Sequence, residues 1–133
     1  MLLKVAVSGI INKKYINLSD SRMATISNLY VDAGATYSNI ITVTASNGQA
    51  LSLTSYTVAS QMRKSYSSST VYAFTASIYD AATGKIRLQL TSGQSEAIPA
   101  GRWLYDVEIT SPSGTKTRVV EGIVTVNAQI TQI

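Results

Sequence analysis

Gly101-Arg-Trp-Leu-Tyr-Asp-Val-Glu-Ile-Thr110, a Pro112-Ser-Gly114 turn, and Thr117-Arg-Val-Val-Glu-Gly-Ile-Val-Thr-Val126 form the stretch whose reading decides the fold. Trp103, Tyr105, Val107 and Ile109 share one face of the first run, while Arg102, Asp106 and Glu108 share the other. That period of two is the pattern of a half-buried strand. Pro112 presets φ for a turn and Gly114 accepts positive φ, so the two runs are predicted to form a long antiparallel hairpin. Opposed residues in such a pair point to the same face. This condition selects the register that pairs Asp106 with Glu121, Trp103 with Val124, Tyr105 with Gly122 and Leu104 with Ile123. A glycine opposite Tyr105 leaves room for the ring to lie across the neighbouring backbone. The same register sets Leu104 and Ile123, with Val119 nearby, on the outer face. Three large aliphatics there are expected to meet another subunit or the N-terminal segment; the alternative is a scatter of exposed aliphatics without consequence.

Outward from this hairpin, turn signals recur at Asp32-Ala-Gly34, Ser46-Asn-Gly48, Tyr66-Ser-Ser-Ser-Thr70 and Asp80-Ala-Ala-Thr-Gly84. Strands are predicted at about 3–8, 24–31, 38–46, 54–65, 71–79, 85–91, 102–110 and 117–126. Ile86, Leu88 and Leu90 point inward while Lys85, Arg87 and Gln89 meet water. Tyr72, Phe74, Ala76 and Ile78 share an inner face, as do Tyr56, Val58, Ser60 and Met62. Residues 92–98 can hold one helical turn crossing between sheets. Short strands at this spacing predict an all-β chain, an immunoglobulin-like antiparallel β-sandwich of about 7–8 strands.

A length of 133 residues suits one domain with a real core, and a 45% hydrophobic, 14% charged composition is that of a globular chain. The formal charge is +4 and the pI near 9.4, but the cations are dispersed. Only Lys4, Lys13, Lys14 and Arg22, and the Arg63-Lys64 pair beside Tyr66, are locally grouped. Nucleic-acid binding needs a cationic stripe, often with stacking aromatics, so no nucleic-acid partner is expected. No run approaches the ~20 apolar residues of a membrane helix, and no membrane partner is expected. Met1–Ile11 has the look of a signal peptide, yet its charges, Lys13 and Lys14, follow the apolar run. Alternating Leu3, Val5 and Val7 fit an edge strand better, and Met23-Ala24 would serve as a translation start. Residues 1–23 are therefore read as an N-terminal extension or extra edge strand, and 24–133 as the sandwich domain.

The chain has no His and no Cys, which removes the usual catalytic base, disulfides and thiolate metal sites. No Gly-x-Ser-x-Gly elbow and no phosphate-cradling glycine loop is present. Asp106, Glu108 and Glu121 fall together on the outer face, where two carboxylates could act as a glycosidase pair or contribute to a calcium site. A flat strand face offers neither a cleft nor a converging loop, and Lys85, Arg87 or Arg102 could simply balance the charge. No catalytic residue, cofactor or metal is predicted. Tyr30, Tyr37, Tyr66 and Tyr79 lie at strand ends or loops, where exposed rings could bind sugars.

Ala24-Thr-Ile-Ser-Asn-Leu-Tyr-Val-Asp-Ala-Gly-Ala-Thr36, Leu53-Thr-Ser-Tyr56, Tyr105-Asp-Val-Glu-Ile109 and Glu121-Gly-Ile-Val-Thr-Val126 follow one another in an order that resembles a known family. It is the N-terminal immunoglobulin-like domain of tailed-phage upper baseplate (BppU-type) proteins, and the similarity covers about residues 24–131. Baseplate proteins of that type continue into a helical or receptor-directed region, whereas this sequence stops at Ile133, which favours an adaptor or decoration subunit. The resemblance implies a non-enzymatic virion structural protein at baseplate, neck or capsid surface. Its partners would be other phage virion proteins and, in a homo-oligomer, further copies of itself. The candidate interface is Leu104, Val119 and Ile123, together with Leu3, Val5 and Val7 of the N-terminal strand. A carbohydrate- or cell-surface-binding module, using Tyr66 or Tyr79, is the alternative.

Overall fold

The computed structural model describes residues 2–7, 10–17, 25–45 and 49–131. In chain order these form β1 (Leu2–Val7), β2 (Ile10–Asn17), β3 (Thr25–Ile26), β4 (Leu29–Asp32), β5 (Tyr37–Ala45) and β6 (Thr57–Arg63). There follow β7 (Val71–Asp80), β8 (Lys85–Leu90), the short helix α1 (Ser92–Ala97), β9 (Gly101–Thr110) and β10 (Lys116–Asn127). The chain is nearly all β, as its alternating runs predict.

The strands join in one hydrogen-bonded path, β2-β1-β5-β8-β7-β6-β9-β10-β3, with β4 also on β10. Curling arises at β7. Its first half, Val71–Phe74, pairs with β6, while Thr75–Asp80 pairs with β8. The sheet thus folds back on itself and its two halves enclose one core. Ile41, Val43, Ile86, Leu88 and Leu90 from one half pack with Trp103, Tyr105, Val107, Val120 and Val124 from the other. Phe74 bridges them, with its ring 5.8 Å from that of Tyr37 and 6.1 Å from that of Tyr105. Tyr72 meets Trp103 edge-on at 5.2 Å, and the indole N–H donates to the Pro99 carbonyl at 3.0 Å. Each large side chain so buried contributes roughly 1.5–3 kcal/mol.

The helical turn predicted near 92–98 is α1. Thr91 caps it reciprocally with Gln94: the Gln94 N–H donates to Thr91 Oγ1 and the Thr91 N–H to Gln94 Oε1. Ser95, fully buried, then fastens α1 to the β4–β5 turn, donating to the Ala35 carbonyl at 2.7 Å and accepting the Gly34 N–H at 3.0 Å.

Four expectations change. The sheet is mixed rather than purely antiparallel, because β3 and β4 run parallel to β10. The strand predicted at 24–31 is also broken at Ser27–Asn28. There the Ser27 N–H donates to the Glu121 carbonyl, and the Asn28 side chain accepts the Ile123 N–H in place of a backbone carbonyl. Leu3, Val5 and Val7 do not lie on an edge strand: β1 is flanked by β2 on one side and by β5 on the other, with Val5 opposite Val43 and Val7 opposite Ile41. Finally, Val119 is not on the outer face. The β9–β10 ladder slips between Arg118 and Val120, so Val119 is the extra residue of a β-bulge and is fully buried beside Val120. The Ser46–Gly48 turn and the boundary at residues 23 and 24 lie outside the described residues.

Candidate docking face

The Asp106–Glu121 register holds as read, as do Leu104 with Ile123, Tyr105 with Gly122 and Trp103 with Val124. Continued through β6 and β3, it lays out rows across the outer face. One row is Gln61–Asp106–Glu121–Ile26, and the next is Arg63–Leu104–Ile123. Beyond the bulge, Ala59–Glu108–Arg118 makes a third. Together with Asn28, Ser65 and Tyr66 these residues, Ala59 excepted, line a shallow groove of about 580 Å³. Leu104 and Ile123 are half-buried at its centre, Ile26 is 53% exposed on one flank and Tyr66 is 84% exposed at the rim.

Arg118 is the hinge of the polar part. Its Nε lies 3.1 Å from Asp106 and its Nη1 3.1 Å from Glu121. The balancing cation is therefore Arg118 rather than Lys85, Arg87 or Arg102. With Arg63 also on the lining, three carboxylates meet two guanidiniums, which leaves an excess of one negative charge. The Asp106 carboxyl is held above its ordinary range, chiefly by desolvation and further by Glu108 and Glu121, against the lowering effect of Arg118. Among the described residues no group of three His, Cys, Asp or Glu is placed to hold a metal ion.

Beneath the face, the Tyr105 hydroxyl donates to the Ser27 carbonyl at 2.6 Å. Burial pushes this phenol well above its usual range. The room left by Gly122 is taken by backbone and not by the ring, since a Cβ there would strike the Ser27 carbonyl. Gly122 is thus the residue that lets β3 lie against β10.

The sequence placed Leu104 and Ile123 together on the outer face, and the structure does so too. It sends Val119 to the core and keeps Leu3, Val5 and Val7 on a strand that pairs with β5, away from β9 and β10. Of the tyrosines, Tyr79 is covered on one side by the Arg87 guanidinium at 4.2 Å, and Tyr37 packs on Phe74. Tyr30 and Tyr66 are exposed. Ile26, Tyr66 and Arg118 were not singled out for this face. The adjacent apolar pair Val119-Val120 inside an alternating run was the available signal for the bulge that brings Arg118 outward. No protein-family model matches the chain, and no curated protein matches it in sequence.

Proposed function

We propose that this chain is a non-enzymatic structural protein of a phage virion, an immunoglobulin-like sandwich that works by docking to other virion proteins. The order and spacing of the Leu53–Tyr56, Tyr105–Ile109 and Glu121–Val126 motifs support the family. Support for the sandwich comes from the two halves of the sheet around one core and from the first strands of the domain lying parallel on the last. One observation carries the docking role: a cross-strand aliphatic pair, Leu104 and Ile123, sits on the solvent side of the sheet, flanked by exposed Ile26 and Tyr66. Apolar side chains gathered in one groove beside charged groups are what a protein interface uses.

The test is the double variant Leu104→Asp, Ile123→Asp. It should keep its strand signal and melting cooperativity while losing incorporation into particles. Normal incorporation would contradict the assignment. A second reading has one observation in its favour: exposed Tyr66 lines the same groove as Asp106, Glu108, Arg118 and Glu121, and sugar sites combine a ring with hydrogen-bonding groups. It requires glycan binding that disappears in Tyr66→Ala.

A further inference from the structure

The outward positions of β9 run Arg102, Leu104, Asp106 and Glu108, with ~7 Å between successive members. Charge is therefore sorted along the strand: a cation, then an aliphatic, then carboxylates. Arg102 is exposed, and its guanidinium has no ion-pair partner among the described residues. At the other end lie three carboxylates, Asp106, Glu108 and Glu121, of which Asp106 and Glu121 pair with the guanidinium of Arg118. On β10 the order Glu121, Ile123, Thr125 sets a carboxylate and an aliphatic beside those of β9, with the uncharged Thr125 opposite Arg102. The face has what its own fold leaves unbalanced at each end, and the two imbalances are opposite.

We infer that the occupant of this face is a second copy of the same chain, related by a two-fold axis that runs across the strands over the Leu104–Ile123 row. Rotation about that axis reverses the strand direction. Leu104 and Ile123 then meet their own counterparts at the centre, and each Arg102 lies over the partner's Asp106. Such an isologous contact uses every pairing twice. Arg63, at the outer end of the central row, is already turned aside to the Ser68 carbonyl at 2.8 Å. Sheets packed face to face sit ~10 Å apart, a distance that aliphatic side chains from both copies fill. The inference rests on the proposal that this face docks, and adds what docks on it.

Light scattering and sedimentation of the purified chain should give twice the 14.2 kDa of one protomer. Arg102→Glu alone sets two carboxylates against each other at both pairings and should yield a monomer. Asp106→Lys alone sets two cations against each other and should do the same. Mixing the two monomeric variants makes both pairings attractive again, so a mixed dimer should form. That outcome also shows that each variant is folded. A monomeric parent chain, single variants that remain dimeric, or a mixture that stays monomeric would each overturn the inference. The docking role would survive those results if Leu104→Asp, Ile123→Asp still blocked incorporation into particles. It would fall separately if incorporation were normal.

Discussion

Tyr105 and Ser27, 78 residues apart in sequence, are joined by a 2.6 Å hydrogen bond from the phenol to the backbone carbonyl. The bond ties the segment between β3 and β4 to the β9–β10 hairpin. It also crosses the break between β3 and β4, where Ser27 and Asn28 leave the regular ladder.

Tyr105→Phe should therefore lower stability by about 1–2 kcal/mol, the cost of leaving a buried acceptor without its donor. Denaturant unfolding measures it, and a variant as stable as the parent would contradict the role. The burial of the same ring sets an alkaline limit. Burial raises the ionisation of Tyr105, and that of Tyr37, above the ordinary phenol value near 10. The folded chain then holds protons that the unfolded chain gives up. This stabilisation is complete below pH ~10 and is lost as pH rises toward the folded-state values. Stability should fall with pH in that window, and Tyr105→Phe should flatten the slope.

Gly122→Ala tests the close approach of β3 to β10. A Cβ would run into the Ser27 carbonyl, so backbone must shift at a cost of roughly 1–3 kcal/mol. Amide exchange at Ser27 and Ile123, whose N–H groups are bonded across this junction, should accelerate more than exchange in β8. Uniform exchange across the sheet would show that the junction is not where the strain falls.

Val119 and Leu104 should respond in opposite ways. Val119→Ala opens space in the core and should cost roughly 1–3 kcal/mol. Leu104→Ala, on a half-buried outer position, should cost less than 1 kcal/mol. Equal losses in thermal unfolding would mean that the bulge does not set the phase of β10.

Ser95→Ala removes a buried hydroxyl that both donates to Ala35 and accepts from Gly34. A loss of about 1–3 kcal/mol is expected, with faster exchange of the Gly34 amide.

Much of this was legible in the residues. Parity restricted the β9–β10 register to alignments that keep Trp103 and Tyr105 on the face of Val124, and the observed one, with Asp106 opposite Glu121, is among them. Extended without interruption, however, that register puts Val119 outside and Arg118 against the core. Burying an unpaired guanidinium is costly. The bulge exchanges the two, and alternation read as a continuous phase cannot contain it. β2 was hidden because Lys13-Lys14 interrupts its apolar alternation, as lysines on edge strands commonly do. The parallel docking of β3 and β4 is a tertiary choice, fixed by Gly122, Tyr105 and the Asn28 side chain rather than by any local pattern.

Radical footprinting of side chains in the monomeric Arg102→Glu variant and in the assembled parent protein tests the docking face most directly. Leu104, Ile123 and Tyr66 should lose most of their labelling on assembly, while exposed Tyr30, which is not among the groove's lining residues, keeps its own. Unchanged labelling of Leu104 and Ile123 in assembled particles would contradict the account.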